Sequence, residues 1–333
     1  MRKSVHIAML GGFHIYVDGE SMDQLVSKSR KGMLLLQYLA LQHGESVPIY
    51  RLIDALWSGE SSSNPESALK TLVSRLRVML AQVSPALAAC IVTERGSYRW
   101  VTQNGITVDL YEFEELEHRL NGCTVLTPQS RADYQQVLRL YTGNLLQGNE
   151  EEWVVNRSVT LHTAYLKLVY QYLNLLKEQE LYEEIINVCR TALDVDAFDE
   201  TLHLQLMNAL VKTCRNNEAL MQYKHVTNLH FRYLGVQPPE GIQEFYKQII
   251  QAGNTLEMNI DSIREELQEY GEVSGAFVCE YAVFKEIYNL QMRNLERLGS
   301  TMFIALLMVS SMDGKPMKPL KLNDVMNGLL KVL

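Results

Sequence analysis

Cysteine is scarce in this chain and poorly spaced for covalent or metal chemistry. The five residues, Cys90, Cys123, Cys189, Cys214 and Cys279, form no CxxC pair. Their scatter excludes a disulfide framework and a zinc ribbon, and fits the reduced thiols of a cytoplasmic protein. The longest continuous apolar run near the C-terminus, Met302 to Val309, is far too short to span a membrane. At the other end, Met1-Arg2-Lys3 is basic, but His6 and Gly11-Gly12 break the apolar run behind it, so no signal peptide is expected. There is no phosphate loop of the form G-x-x-x-x-G-K followed by Ser or Thr, no GxSxG elbow and no HExxH pair. His225 and His230 are five residues apart and share no helix face, so they are read as packing or surface residues, not metal ligands. Glu150-Glu151-Glu152 and Glu183-Glu184 are read as solvated acidic helix faces, and Trp153 as an anchor of the core beside them. The expectation is a protein that is not an enzyme, with no cofactor, no metal and no membrane partner.

What is present is globular. The chain has 333 residues, of which 47% are hydrophobic and 21% charged, a balance that supports two or three folded domains. The formal net charge of −8 is unevenly spread. Residues 1–105 hold 11 Lys/Arg against 8 Asp/Glu, residues 106–254 hold 12 against 20, and residues 255–333 hold 8 against 11. A positive first domain on an acidic body is the distribution expected when only that domain meets phosphate.

One stretch organises the reading, Asn64 to Leu80, NPESALKTLVSRLRVML. Asn64 is suited to capping, Pro65 to the first helical position, and Glu66 to the positive end of the helix dipole. Leu69, Leu72, Val73, Leu76 and Leu80 recur at three- and four-residue spacing and predict one buried stripe. The opposite face carries Ser67, Lys70, Thr71, Ser74 and Val78, with Arg75 and Arg77 on its flanks, and no acid follows Glu66. Such a face is shaped to lie against an anion; an ordinary amphipathic surface helix is the alternative. Its neighbours favour the first reading. Arg30 to His43 and Ile49 to Trp57 predict two helices before it, with Leu34, Leu35, Tyr38, Leu39, Leu52, Ile53 and Leu56 inward. Ile91 to Val101, IVTERGSYRWV, predicts a hairpin after it, carrying Arg95 and Arg99.

Three helices followed by a hairpin is a winged helix-turn-helix. The segments RKGMLLLQYLALQHGESVPIYRLIDALW, NPESALKTLVSRLRVML and IVTERGSYRW resemble the winged-helix effector domain of OmpR-type response regulators. They resemble still more the version found in antibiotic-regulatory-type (SARP-like) transcriptional activators, over residues 4 to 105. Val5 to Leu10 and Phe13 to Asp18 predict an N-terminal β-hairpin beside it, in which His6 and His14 are ordinary strand residues. The resemblance implies that the helix opening at Pro65 enters the major groove of double-stranded DNA. Ser67, Lys70, Thr71, Ser74 and Arg75 would then meet base edges or adjacent phosphates, and Trp57 and Arg77 the backbone. The wing, through Arg95, Tyr98 and Arg99, would lie along the backbone or the neighbouring minor groove. The resemblance also implies repeated half-sites bound by a homodimer. It implies contact with RNA polymerase too, for which the Ser58 to Ser63 loop is one candidate.

From residue 106 the chain becomes acidic and helical, with a long helix expected over Trp153 to Lys177. Tyr172, Leu176, Tyr182, Ile185, Ile186 and Cys189 correspond to Leu206, Leu210, Asn216, Ala219, Leu220 and Tyr223 at an offset of 34 residues, the tetratricopeptide period. VDLYEFEEL, YTGNLLQGNEEEWVVNRSVTL, LYEEIINVCRTALDVDAFDETLHLQLMNAL and EALMQYKHVTNLHFRYLGVQPPEGIQEFYKQI resemble the bacterial transcriptional activator domain. A generic helical-repeat scaffold remains the alternative for this part taken alone. Residues 255–333 predict a charged linker helix (Asn259 to Tyr270), a strand at Gly275 to Cys279, a helix at Val283 to Leu298, a buried strand at Met302 to Val309 and a final helix from Asn323. That order weakly resembles the start of a nucleotidyl-cyclase-like (GGDEF-type) domain. Val309-Ser310-Ser311-Met312-Asp313 departs from the metal-binding pattern of active cyclases, and a small accessory or dimerisation segment is the alternative.

The expected architecture is mainly α. A winged helix with an N-terminal hairpin occupies 1–105, a TPR-like helical domain 106–254, and a short α/β segment, read as a truncated domain, 255–333. The expected function is sequence-specific transcriptional regulation, with activation the favoured direction. The alternatives are a ligand- or partner-sensing scaffold whose winged helix contacts protein, and a nucleotide-signalling protein with an inactive cyclase-like domain. A fragment ending near Val101 is expected to fold alone.

Overall fold

The computed structural model describes residues 4–26, 29–57, 64–253 and 281–298. The chain divides into two compact units, Met1–Thr255 and Leu256–Leu333.

The first unit opens with β1 (Val5–Ala8), β2 (His14–Val17), β3 (Glu20–Ser21) and α1 (Asp23–Val26). The winged-helix elements follow: α2 (Arg30–Leu41), β4 (Ser46–Pro48), α3 (Ile49–Trp57), α4 (Pro65–Val83), α5 (Pro85–Ala89), β5 (Ile91–Glu94) and β6 (Ser97–Trp100). After β7 (Ile106–Val108) the chain is helical: α6 (Asp109–Leu120), α7 (Pro128–Leu140), α8 (Glu152–Glu178), α9 (Tyr182–Val195), α10 (Glu200–Lys212), α11 (Asn216–Leu234) and α12 (Glu240–Gly253).

Two small sheets frame the winged half. The first has the order β3-β2-β1-β7, with β1 antiparallel to β2 and parallel to β7. The expected N-terminal hairpin is therefore present, and the segment after residue 105 adds a strand to it. The second sheet, β4-β6-β5, adds a strand to the expected wing, because Ser46-Val47-Pro48 pairs with β6 opposite Arg99, Tyr98 and Ser97. Between the sheets, Leu35, Leu36 and Leu39 of α2, Leu52 and Leu56 of α3, and Leu69, Val73, Leu76 and Leu80 of α4 close the core. Leu34, Tyr38, Ile53 and Leu72, expected inward, are only partly buried against it.

The 34-residue repeat is visible in the backbone. α9 and α11 begin 34 residues apart, and the helices before them end 34 residues apart, at Glu178 and Lys212. Each ends in a Schellman closure. Leu181 N–H donates to Leu176 O (3.0 Å) and Glu180 N–H to Lys177 O (3.1 Å); Arg215 N–H donates to Leu210 O (2.8 Å) and Cys214 N–H to Val211 O (3.0 Å). The left-handed residues of the two turns, Glu180 (φ 55°) and Cys214 (φ 60°), lie at the same offset.

The winged and helical halves of this unit are tied together. The Asp109 carboxylate, 3% exposed, accepts from Met9 N–H (2.8 Å to each oxygen), Leu10 N–H (2.9 Å) and Leu110 N–H (2.6 Å). Thr142 Oγ1 donates to Leu10 O (2.7 Å), Leu146 N–H to Met9 O (2.7 Å) and Gly11 N–H to Asn144 O (3.0 Å). Gly11 (φ 103°) lies so close to this segment that a Cβ there would sit 2.3 Å from Thr142 Oγ1. On α2, Gln37 Oε1 accepts from Asn149 Nδ2 (2.9 Å), and Ala40 O accepts from Tyr111 Oη. His43 just beyond α2 stacks on Tyr111 (centroids 3.7 Å apart) and Tyr38 meets Trp153 edge to face (5.0 Å). Trp153 is thus an anchor, as expected, but its ring reaches across to the winged half.

In the second unit, α13 (Tyr281–Leu298) matches the helix expected from Val283. The expected linker helix, both strands and the final helix of residues 255–333 lie outside the described residues, as does the Ser58–Ser63 loop.

Candidate nucleic-acid interface

The site is built on α4. Asn64 caps it as its sequence predicts, its side chain accepting from Ser67 N–H at 3.1 Å, with Pro65 at the first helical position. Burial of the leucine stripe fixes the rotation of the helix about its axis, and turns Ser67, Lys70, Thr71, Ser74, Arg75 and Val78 outward as exposed residues. Lys70 and Arg75 make no ion pair among the described residues, so both charges are available to an incoming anion. Thr71 Oγ1 donates to Ser67 O (3.0 Å), which leaves its oxygen lone pairs as acceptors. Val78 is 61% exposed and extends the face with an apolar contact surface.

Trp57 closes α3 beside this face. With Asn64, Ser67, Ala68, Thr71, Leu72 and Arg75 it lines a shallow groove of about 450 Å³. Its ring is covered by Lys31, whose Nζ lies 5.0 Å from the ring centroid. Lys31 is a residue the sequence reading passed over. Its only signal is its place in the first turn of α2, and nothing local connects it to Trp57.

The wing differs from expectation at two residues, and α4 at one. Arg95 sits exposed at the tip, beside Gly96 at φ 79°. Tyr98, expected at the DNA backbone, is 5% exposed and belongs to the core. The pleat explains this, since Tyr98 and Trp100 fall on one face of β6 and both are buried. Arg99, expected as a second backbone contact, has its guanidinium in an ion pair with Glu94. Val92 faces Arg99 across the hairpin, so Glu94 is its diagonal neighbour on the same face. Arg77, expected as a backbone contact from α4, is half-buried. Its Nη2 donates to Ile91 O and to Thr93 Oγ1, both at 2.7 Å. Strand periodicity would have placed Tyr98, and hairpin register the Arg99–Glu94 pair. The Arg77 bonds depend on how α4 packs against the wing, which no local pattern records.

No group of His, Cys, Asp and Glu among the described residues could hold a metal ion. Burial pushes the Cys90 thiol up to about 11 and the Cys189 thiol up to about 12, so neither is a nucleophile near neutral pH. His230 is buried, with Nδ1 3.0 Å from Val226 O, while His225 is exposed, which agrees with their reading as packing and surface residues. No described helix is long and apolar enough to cross a membrane.

Comparison with known proteins gives this geometry a family. Residues 23–99 match the C-terminal domain of transcriptional regulatory proteins, and residues 108–250 match the bacterial transcriptional activator domain. Regulatory protein AfsR of Streptomyces coelicolor is 28% identical over 257 residues, covering 76% of this chain and 25% of that protein. The chain thus spans about a quarter of the length of that relative. Regulatory protein DnrI of Streptomyces peucetius is 25% identical over 272 residues, covering 77% of this chain and 95% of that protein. Among solved structures, Mycobacterium tuberculosis EmbR in complex with a low affinity phosphopeptide shares the fold, with a TM-score of 0.52 at 17% identity over 95% of this chain and 74% of that one. With its two domains in this order and these relatives, the chain belongs to the antibiotic-regulatory-type (SARP-like) bacterial transcriptional regulators, which join an OmpR-type winged helix to a bacterial transcriptional activator domain.

Proposed function

We propose that this chain is a cytoplasmic, sequence-specific regulator of transcription that binds double-stranded DNA by laying α4 in the major groove. The observation that carries the reading is the outer face of α4. Ser67, Lys70, Thr71, Ser74 and Arg75 are exposed together, with two cations outside any ion pair among the described residues and no acid beyond Glu66. Lys70 and Arg75 have the reach for base edges or phosphates; Ser67 and Ser74 can donate to phosphates and donate to or accept from base edges, while Thr71, whose hydrogen goes to Ser67 O, can accept from a base-edge donor. Arg95 at the wing tip adds a backbone contact, and Trp57 walls one side of the groove. The helical half serves to hold two copies on repeated half-sites and to meet RNA polymerase, and activation is the direction we favour. Its acidic balance, 12 Lys/Arg against 20 Asp/Glu over residues 106–254, suits a surface that turns away from phosphate and toward protein.

The test is selection of genomic fragments by the purified chain, followed by measurement of affinity against salt. Binding through several phosphates makes log K fall with log salt at a slope of about −0.9 for each phosphate neutralised. Arg75→Ala is expected to cost about 1–3 kcal/mol on a selected fragment and to relax preference at one base pair, which a mixed-base competition resolves. Affinity that is flat in salt, or untouched by loss of Lys70 and Arg75 together, would return the winged helix to the role of a protein-contact module.

A further inference from the structure

We propose that Arg77 is a positioning residue, which pins the wing to the recognition helix and does not grip DNA. The proposal rests on the reading of α4 and the wing as the DNA interface. β5 is the outer strand of its sheet, whose order is β4-β6-β5, so one of its edges has no partner strand among the described residues. In the hairpin register Glu94 pairs with Ser97 and Val92 with Arg99. The alternate residues, Ile91 and Thr93, therefore turn their backbone N–H and C=O to that open edge. Arg77 reaches from α4 to this place. One nitrogen, Nη2, gives one hydrogen to Ile91 O and the other to Thr93 Oγ1, each at 2.7 Å. Both are charge-assisted hydrogen bonds, short and directional.

Among the described residues no other polar side chain does this work between α4 and the wing. Arg99, the cation of β6, is taken by Glu94 within the hairpin itself. Arg75, two residues earlier on α4 and about 200° around the helix, is exposed and makes no bond to β5. Among the described residues Arg95 is therefore the wing's one cation outside an ion pair, and Arg77 determines where that cation stands relative to Lys70 and Arg75. A wing held in register lets both sets of contacts close on one stretch of DNA at once. A loose wing must be ordered at each binding event, and affinity falls by that cost.

The experiment uses the full chain with Arg77→Ala, Thr93→Val, Arg77→Lys and Arg95→Ala, each checked for fold by circular dichroism. Thr93→Val keeps the shape of the strand residue and removes only the hydroxyl acceptor, so it tests the pin even if Arg77→Ala misfolds. The probes are one genomic fragment selected by the unaltered chain and one unrelated fragment, titrated at several salt concentrations. Tryptic cleavage after Arg95 without DNA reports how loosely the wing is held. Arg77→Ala and Thr93→Val should each speed that cleavage and lower affinity for the selected fragment, roughly tenfold for Arg77→Ala. Both should leave the slope of log K against log salt at the unaltered value, and Arg77→Lys should restore only part of the loss. Arg95→Ala should instead reduce the slope by about one. If Arg77→Ala reduces the slope by about one while Thr93→Val behaves like the unaltered chain, Arg77 is a phosphate clamp and the proposal is overturned. Unchanged cleavage and affinity in both variants overturn it equally. If the unaltered chain binds no genomic DNA, the reading of the interface fails, and the cleavage comparison still decides whether the pin exists.

Discussion

His203 shows at the scale of one residue how the helical half handles a polar group it has closed off from water. It is 1% exposed, with Nε2 2.9 Å from Ala197 O and Nδ1 2.8 Å from Gln222 Nε2. The amide nitrogen can only donate, so Nδ1 accepts and the ring is neutral with its proton on Nε2. Burial holds its pKa below the usual 6.5, against the opposing pull of the Ala197 carbonyl. The sign of the linkage follows. Below 6.5 the unfolded chain takes up a proton that the folded ring refuses, so stability is full above that value and is lost as pH falls toward the folded pKa. The urea midpoint of the helical half should therefore drop on acidification through this window, and His203→Gln should flatten the drop. A midpoint that rises on acidification would show the assignment of the neutral ring to be wrong. The sequence shows only a histidine among apolar helix positions. Its partners come from the preceding turn and the next helix, and the local pattern does not identify them.

At the scale of elements, the signals that were legible are those carried by neighbouring residues. Asn64 and Pro65 announce the start of α4, and its leucine spacing decides which residues face out. Asn64→Ala should cost about 1 kcal/mol of stability, read by thermal or chemical denaturation, because Ser67 N–H then has no acceptor. The 34-residue repeat was also legible, and the structure adds a consequence. Glu180 and Cys214 occupy matching left-handed positions at helix ends, where glycine is the usual residue. A side chain in that conformation costs about 1–2 kcal/mol, and both residues are exposed. Replacing either by Gly removes the strain but loosens the unfolded chain by about 0.4–1 kcal/mol. Each variant should gain about 0.5 kcal/mol, and a loss in both would mean their side chains make contacts that matter. What stayed illegible were short strands with weak patterns. Ser46-Val47-Pro48 is three residues long and becomes a strand only because β6 is there to pair with it. Likewise, the wing's charges could be counted in the sequence, while the ion pair that removes Arg99 from the outward set depends on the hairpin register.

At the scale of the whole first unit, the motif boundary and the folding boundary do not coincide. The family matches end at residue 99 and resume at residue 108, yet β7 between them is hydrogen-bonded in parallel to β1. The expectation that a fragment ending near Val101 folds alone is therefore revised. Such a fragment leaves one edge of β1 open, removes the Asp109 carboxylate that gathers three backbone N–H groups, and strips Leu10 and Gly11 of their partners around Thr142 and Asn144. Each buried N–H left without an acceptor costs about 1–3 kcal/mol. In a chain covering residues 1–253, Asp109→Ala should thus destabilise by about 3 kcal/mol or more. Asp109→Asn, which keeps one oxygen acceptor, should cost less. A domain of ordinary size has only about 5–15 kcal/mol in reserve, so the fragment ending at Val101 should melt well below the longer chain, or fail to give a cooperative transition. A fragment ending just after Leu120, which retains β7, Asp109 and α6, should recover part of the difference. Thermal unfolding of the three lengths beside the two Asp109 variants makes the comparison. If the shortest fragment melts as high as the longest and Asp109→Ala is neutral, the winged helix owes nothing to the segment behind it. If they fall together, the half that would read DNA is held in its fold by the half that would meet protein. An event at the helical surface then has a mechanical route, through Asp109 and β1, to the domain carrying α4.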